Sequence, residues 1–343
     1  MNSNRSRAYF QYWGKVMRDK DEHVQTLHLL PYHCLDVAAV GRVLLNRDAQ
    51  LQQRVCGHLP LKPEDVDTLV ILFLALHDIG KFSIPFQSLV EEAVKILRRA
   101  LRMRPYSRRH TDVGLALWED RLLECMCSSA VFQGESDDAH RIGNYILPLA
   151  QPFLGHHGLP ADSGDVLTCE QFLDEDVEAA IAFLYDCARL FVREPVPLPQ
   201  DLGTLYDALK VRSWLLSGFA VVCDWIGSNS DFFPYCSDEM VLDDYWLRAC
   251  DSAERAVDEA GILPVKRRQF SGMAGLFPEL KDFWPSPLQA HVSQCDIGAG
   301  PQLWIIEDIT GSGKTEAAIV LLHRLMQQGY DGFFLALPTM ATA

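Results

Sequence analysis

The chain has 343 residues, 48% of them hydrophobic and 22% charged, and a formal net charge of −15. This composition excludes an intrinsically disordered chain and is sufficient for two domains. The 46 acidic residues outnumber the 31 Lys and Arg residues, which argues against non-specific nucleic-acid binding over the whole surface.

The sequence predicts neither a membrane segment nor a secretion signal. The apolar run at residues 69–76 is far shorter than the ~20 residues that cross a bilayer. The N-terminus, MNSNRSRAYF, lacks the apolar stretch of a signal peptide. The ten cysteines form no paired CxxC framework and suit a reducing compartment. We therefore expect a cytoplasmic protein that does not bind membranes.

Residues 1–260 are predicted to be mostly helical. Pro63, Glu64 and Asp65 begin a helix with acidic side chains in its first turn, where they complement the helix dipole. That helix continues through residues 69–76, which are apolar on every side and so predict a central position in a helical bundle. Further helices are expected at 177–193 and 205–225, polar loops at 134–140 and 160–176, and a stiff proline connector at 195–199.

The pattern changes near residue 261. Residues 261–302 are rich in Gly, Pro and Ser, as in a linker. Beyond them we predict a strand at 303–306, a glycine-rich loop, a helix from about 313 to 328 and a second strand at 333–337. Such a βαβ unit implies a parallel sheet. We therefore divide the chain into 1–260, 261–302 and 303–343.

A group of histidines and aspartates predicts a metal site. The adjacent pair His77 and Asp78 follows the apolar helix, and one carboxylate can bridge two ions while histidines complete each shell. Two such ions activate water and stabilise both oxygens of a phosphate ester during its hydrolysis, which predicts a phosphodiesterase or nuclease. The candidate ligands are His33, His77, Asp78, His110, His156, His157 and Asp224.

Three neighbouring features leave alternatives open. Asp36 either orients His33 or is a surface acid, and Lys81 either contacts the substrate phosphate or forms a structural salt bridge. Six arginines lie between residues 98 and 110 without an acid, and they form either a phosphate track or a solvated surface. The remaining histidines have no such context and are interpreted as structural: His23, His28, His58, His140, His291 and His323.

A phosphate-binding loop is predicted at Thr310, Gly311, Ser312, Gly313, Lys314 and Thr315. Its backbone amides would hold the phosphates of ATP, Lys314 would reach the β and γ phosphates, and Thr315 would hold magnesium. Asp308 stands where the strict pattern has glycine, and no acid that could orient water is identified after Thr315. The alternative is a loop that binds nucleotide weakly or not at all.

Taken together, these motifs resemble the CRISPR-associated nuclease–helicases of type I systems, most closely the type I-E form. The resemblance extends over nearly the whole chain in the family's order. It is carried by YWGK at residues 12–15, LPYHCLDVA at 30–38, ALHDIGKF at 75–82, GHHG at 155–158, DWIGS at 224–228 and TGSGKTE at 310–316.

The resemblance implies a mainly α fold, with an all-helical HD-type nuclease domain followed by an incomplete α/β RecA-like segment of a superfamily 2 helicase. It implies catalytic roles for His77, Asp78 and Lys81. One metal ion would be held by His33, His77, Asp78 and Asp224, and a second by Asp78, His110, His156 and His157. The ions would be iron, manganese, cobalt or nickel, in agreement with imidazole-rich ligation.

The same resemblance implies a substrate and a partner. The substrate would be single-stranded DNA and the partner an RNA-guided CRISPR surveillance complex. Gln289 would read the adenine of ATP, and residues 337–339 match a motif that touches the DNA backbone. Because the later helicase motifs do not occur before Ala343, we expect nuclease activity without ATP-driven unwinding.

Two other functions remain open at this point. The chain could be an HD phosphohydrolase that acts on nucleotides, since that class shares the metal site and does not need the arginine run. It could also be a truncated regulator that docks on the RNA-guided complex without degrading DNA.

Overall fold

The computed structural model describes residues 8–97, 104–133, 139–264, 269–280, 284–330 and 333. The chain divides into two units, Met1–Leu263 and Pro264–Ala343. Each unit is described by itself.

The first unit is mainly helical, as the sequence predicts. Short 3₁₀ turns lie at Ala8–Gln11 and Ile79–Phe82, and π-helical turns at Trp118–Leu122 and Met126–Ala130. Its α-helices are α1 (Leu30–Arg47), α2 (Ala49–Cys56), α3 (Pro63–Ala75), α4 (Ile84–Gln87), α5 (Glu91–Ile96), α6 (His110–Leu117), α7 (Leu123–Cys125), α8 (Ala139–Leu154), α9 (Thr168–Gln171), α10 (Asp174–Phe191), α11 (Leu202–Gly227) and α12 (Leu242–Ala260).

Helix α1 is the centre of the first unit. Pro31 lies in its first turn, where a missing N–H costs no intrahelical hydrogen bond. Every residue from 30 to 41 is buried, so this part of the helix has no polar face turned to solvent. Helices α3, α11 and α12 pack against it. Polar side chains on the first turns of α1 are therefore carried into the interior.

Two small sheets accompany the helices. Strands β1 (Trp13–Arg18) and β2 (Val24–Leu29) form an antiparallel hairpin that leads into α1. The prediction that residues 1–260 are mostly helical did not include this hairpin. Strands β3 (Phe132–Gln133) and β4 (Val196–Pro197) pair in parallel, so the proline connector at 195–199 also supplies a short strand.

The predicted helices of the first unit are confirmed with small changes of boundary. The helix expected from Pro63 is α3, and the helices expected at 177–193 and 205–225 are α10 and α11. Helix α8 begins at Ala139, inside the loop predicted at 134–140, and residues 134–138 lie outside the described residues. Helix α9 lies inside the loop predicted at 160–176.

The second unit contains helices α13 (Met273–Leu276), α14 (Pro287–Gln294) and α15 (Lys314–Gln327), and a 3₁₀ turn at Pro278–Leu280. A small apolar core joins α14 to α15 through Val292, Ala317 and Val320. The helix predicted at 313–328 is thereby confirmed.

The strand predicted at 303–306 is wrong in this structure. Leu303 and Ile305 are largely exposed, and no strand pairs with this segment among the described residues. An extended segment becomes a stable strand only when neighbours satisfy its backbone groups. The second predicted strand, at 333–337, lies outside the described residues apart from Phe333, which is not in a strand. Within the described residues, the expected parallel sheet of this unit is therefore not seen.

Within the described part of the chain, no helix is both long enough and apolar enough to span a bilayer.

Candidate metal centre

Five segments of the first unit bring the seven candidate ligands together. His33 lies in the first turn of α1, and the doublet of His77 and Asp78 follows the end of α3. His110 is the first residue of α6, and Asp224 lies in the last turn of α11. The turn after α8 carries the remaining pair, His156 and His157.

Asp78 is the central residue of the cluster, and its two oxygens face different imidazoles. Oδ2 lies 3.1 Å from Nε2 of His33 and 3.3 Å from Nε2 of His77. Oδ1 of Asp224 lies 3.4 Å and 3.7 Å from the same two nitrogens. Two imidazoles and two carboxylates therefore converge on this side of Asp78.

The other oxygen of Asp78 faces a second set of histidines. Its Oδ1 lies 3.2 Å from Nε2 of His110 and 3.6 Å from Nε2 of His156. Nε2 of His157 is 3.1 Å from Nε2 of His110. These distances divide the ligands into two groups, with Asp78 between them.

Backbone carbonyls orient two of these rings. Nδ1 of His77 lies 2.8 Å from the Leu74 carbonyl, and Nδ1 of His156 lies 3.1 Å from the Phe153 carbonyl. A carbonyl can only accept, so in each ring Nδ1–H donates. In the neutral imidazole, Nε2 then carries the lone pair that is directed at the cluster.

Gly80 allows His110 to reach Asp78. A Cβ atom at this position would lie 1.9 Å from the backbone oxygen of His110 and 2.7 Å from the amide nitrogen of Gly114. The 3₁₀ turn after the doublet can pack directly on the first turn of α6 only because residue 80 has no side chain. This close approach sets the distance between the two parts of the cluster.

The electrostatic environment keeps the carboxylates ionised. Burial raises the pKa of Asp78, but Lys81, His77 and the other histidines lower it by more, so that its pKa lies well below 3.8. Asp224 follows the same pattern: burial raises its pKa, and the nearby imidazoles of His33 and His77 bring it far below 3.8. Both side chains are therefore available as anionic ligands.

The imidazoles differ in their proton affinity. Burial, with a smaller effect of the Lys15 charge, lowers the pKa of His33 to about 4. Burial also lowers the pKa of His156 and His157. For His77, burial acts in the same direction, but the adjacent Asp78 raises its pKa above 6.5. His33, His156 and His157 are thus neutral near pH 7, as metal ligation requires.

Several buried atoms of the cluster have no hydrogen-bond partner among the described residues. They include Nε2 of His33, His77 and His156 and Oδ1 of Asp78, whereas Oδ2 of Asp78 has the Lys81 ammonium beside it. Burying such groups without partners is costly, and metal coordination removes that cost. Three overlapping groups place one ligand atom per residue within 4.8 Å of one another: His33, His77 and Asp78; His77, His156 and Asp224; and His110, His156 and His157. These donor sets fit divalent transition metal ions.

Lys81 forms the salt bridge that the sequence left as an alternative to substrate contact. Its Nζ lies 2.5 Å from Oδ2 of Asp78, and the side chain is buried. The Asp78 carboxylate raises the pKa of Lys81, although burial acts against it. Lys81 therefore brings a buried positive charge to the centre of the cluster.

Both interpretations offered for Asp36 are wrong. The residue is fully buried, and its Oδ2 accepts a hydrogen bond from Nε2 of His28 at 2.8 Å. The hydroxyl of Tyr245 donates to Oδ1 at 3.0 Å. Nδ1 of His28 accepts from the backbone amide of Cys236, which confirms the structural role assigned to His28. Tyr245 and Cys236 are distant in sequence, so spacing along the chain could not reveal this network.

Only half of the arginine run lies within the described residues. Arg104 donates to the backbone oxygen of Glu170, Arg108 lies 2.8 Å from Asp165, and Arg109 lies 2.8 Å from Asp112. These exposed ion pairs are weak. Arg98, Arg99 and Arg102 lie outside the described residues.

Three residues near the cluster were not singled out by the sequence. The Tyr106 hydroxyl accepts a hydrogen bond from the backbone amide of His110 at 2.9 Å and lies 3.2 Å from Nδ1 of that ring. Ser228 donates to Asp224, and Lys15 donates to Ser228. Lys15 and Ser228 stand in the motifs at 12–15 and 224–228, but no role had been predicted for either residue.

In the second unit, the predicted phosphate-binding loop lies at the start of α15. The ammonium of Lys314 donates to the backbone oxygens of Asp308 and Ile309, both at 2.8 Å. Gln289 is buried, and its side chain caps α14 at Ser286 and donates to the Gly313 carbonyl at 3.2 Å. The structure brings Gln289 to the loop.

Comparison with known proteins then decides the family. Residues 13–233 match the family model described as Cas3, HD domain, which is more than half of the chain and contains every residue of the cluster. The chain belongs to the Cas3 HD domain family. The resemblance derived from the motifs is thereby confirmed.

The relatives are longer proteins. A CRISPR-associated endonuclease/helicase Cas3 of Escherichia coli K12 is 30% identical over 356 aligned positions, which cover 97% of this chain and 38% of the relative. A relative of the same description from Thermus thermophilus is 30% identical over 92% of this chain and 33% of its own length. The chain thus spans about a third of the curated relatives that it matches.

The fold is also shared with solved structures. The crystal structure of T. fusca Cas3 superimposes with a TM-score of 0.62 at 23% identity, over 97% of this chain and 36% of that one. This likeness supports the fold.

Proposed function

We propose that the chain is a metal-dependent endonuclease that cuts single-stranded DNA in CRISPR interference. The observation that carries the proposal is the position of Asp78, whose two oxygens face two separate sets of imidazoles. This arrangement supports two metal positions that share one carboxylate. Membership of the Cas3 HD domain family supports the nuclease assignment.

The two groups of residues give the proposed ligand sets. His33, His77, Asp78 and Asp224 would hold one ion, and Asp78, His110, His156 and His157 the other. When bound, such ions lower the pKa of water and stabilise both the attacking and the leaving oxygen of a phosphodiester. Imidazole-rich sites favour transition ions such as iron, manganese, cobalt or nickel over magnesium.

The protein's own residues prepare this site. His77 and Asp78 fix its centre, because the backbone orients the His77 ring and the core surrounds Asp78 completely. Lys81 places a positive charge beside Asp78, where it can attract a substrate phosphate as well as balance the carboxylates. These three residues are the proposed catalytic group.

The proposal extends to partners and to the second unit. A structural neighbour, at TM-score 0.57 and 22% identity, is described as a CRISPR RNA-guided surveillance complex, pre-nicking. We infer such a complex as the partner here.

We assign residues 1–260 to the nuclease domain, 261–302 to a linker and 303–343 to the start of a helicase lobe. ATP and magnesium would bind at residues 310–315, beside Gln289.

The test is cleavage of circular single-stranded DNA, which has no ends, by the purified chain with manganese or cobalt and without ATP. The wild type should cut it, and Asp78→Asn should lower the cleavage rate by more than about 100-fold. This is more than the usual effect of replacing a residue that only supports a metal ligand. Asp21→Asn, in the exposed turn of the β1–β2 hairpin, is the control and should cut normally. A wild type that binds metal but leaves circular DNA intact contradicts the proposal.

A second candidate is a phosphohydrolase that acts on nucleotides. It is favoured by the ion pairs of Arg108 and Arg109, which engage part of the basic run within the chain. Hydrolysis of nucleotides by the same preparation, with intact DNA, would select this function. Under the nuclease proposal, charge reversal at Arg104, Arg108 and Arg109 should impair DNA cleavage, whereas nucleotide hydrolysis would not depend on these residues.

A further inference from the structure

A relay of hydrogen bonds leads from the β1–β2 hairpin to the metal cluster. The ammonium of Lys15 on β1 donates to Oγ of Ser228, and that hydroxyl donates to Oδ1 of Asp224 at 3.0 Å. The Asp224 oxygen that receives this bond is the one facing His33 and His77. The relay therefore ends on a candidate ligand atom.

The fold fixes the position of the relay. Ser228 is the C-cap of α11 and directly follows Gly227, the last residue of the helix. A Cβ atom at position 227 would lie 2.9 Å from Cα of Val37, so the end of α11 contacts the backbone of α1 directly. Lys15 follows an irregularity in the β1–β2 pairing between Trp13 and Lys15, which changes the local direction of the strand.

Asp224 needs external support more than Asp78 does. The side chain of Asp78 is completely buried, whereas that of Asp224 is 18% exposed. A serine at a helix end can bond to a backbone carbonyl of the preceding turn. Ser228 instead donates to the carboxylate of the residue four positions earlier. Lys15 occupies one acceptor position of the Ser228 hydroxyl, so the hydroxyl hydrogen is directed at Asp224.

We propose that Lys15 and Ser228 are positioning residues that hold Asp224 in its ligand orientation. They thereby set the affinity of the metal position formed by His33, His77, Asp78 and Asp224, and leave the position at His110, His156 and His157 largely unchanged. This inference rests on the proposed function, because it assumes that Asp224 binds an ion there.

The test is calorimetric titration of the metal-free chain with manganese. The wild type should bind two ions. Ser228→Ala and Lys15→Met should each weaken one of the two binding steps by about 10- to 100-fold, the usual effect of removing an outer partner of a metal ligand. Ser228→Thr keeps the hydroxyl and should bind nearly as well as the wild type. Lys20→Met changes an exposed lysine in the hairpin turn and should have no effect.

Urea unfolding of each variant in chelator separates positioning from folding. If Lys15 and Ser228 only position Asp224, one of the two metal-binding steps should weaken, while the free energy of unfolding of the metal-free variant stays close to that of the wild type. Equal weakening of both steps together with lower metal-free stability would indicate a merely structural role and overturn the inference. Unchanged binding in both Ser228→Ala and Lys15→Met would overturn it as well. A wild type that binds no ion would instead refute the metal site of the proposed function.

Discussion

The candidate metal cluster of the first unit and the predicted phosphate-binding loop of the second unit are both recognisable from short motifs, but they differ in how they are built. Around Asp78 the ligands come from five segments, and most of them are buried. At Lys314 the ammonium is bound to backbone oxygens of its own loop, and the segment before that loop is largely exposed. The cluster is held by a core, whereas the loop rests on a few local contacts.

This difference shows what a motif requires before it becomes a site. His77 and Asp78 supply the chemical groups, but the close packing of Gly80 on α6 brings His110 to them. The loop has the expected residues without a neighbouring strand among those described. Changes at the contacts that build the cluster should therefore have large effects on metal binding, and changes in the loop should have almost none.

The largest effect is expected from Gly80→Ala. The added methyl group meets backbone atoms that cannot move aside, so the free energy of unfolding should fall by about 1–3 kcal/mol. Metal affinity should fall as well, because the contact with α6 must open. The measurements are urea unfolding and manganese titration.

Gly218→Ala is the matched control for that prediction. Gly218 is an exposed residue of α11, and a Cβ atom there would meet nothing within 4 Å. Alanine should stabilise this helix by about 0.5–1 kcal/mol and leave metal binding unchanged. If Gly80→Ala changed stability and metal affinity no more than Gly218→Ala does, the close contact of Gly80 with α6 would not determine the geometry of the cluster.

A change of pH should have an effect of intermediate size on metal affinity. Because Asp78 raises the pKa of His77, protons compete with metal ions for that ring, and metal affinity should fall as pH is lowered. The fall should begin above pH 6.5, the ordinary pKa of histidine. His33, with a pKa lowered to about 4, stays neutral over this range and should not contribute.

Titrations with manganese at a series of pH values test this prediction. An affinity that stays constant from about pH 8 to about pH 6 would show that His77 carries no extra proton in the metal-free protein.

The smallest effect is expected from Lys314→Ala. DNA cleavage and manganese binding should change by no more than about 0.5 kcal/mol, as for a surface substitution. Binding of ATP with magnesium at the proposed site should weaken clearly in the same variant. A large change in the rate of cleavage would show that the loop and the cluster are energetically coupled, and would contradict the view that each is held by its own contacts.

Much of the first unit could be predicted, because its signals are local. The apolar run at 69–76 and the acidic start at Glu64 and Asp65 identify α3, and the doublet after it identifies the cluster. The contact of Asp36 with Tyr245 could not be predicted, since the two residues are separated by 209 positions. The strand expected at 303–306 failed for the related reason that pairing depends on a neighbour, which the segment itself does not encode.

The order of the ligands along the chain has a consequence for folding. They extend from residue 33 to residue 224, more than half of the 343 residues. Contacts between residues so far apart form late and slowly, because long loops must close before such contacts can stabilise the chain. The complete site can therefore form only after α1, α3, α6, α8 and α11 have all docked. An intermediate that lacks α11 cannot hold Asp224 beside His33, so it cannot present the complete set of candidate ligands.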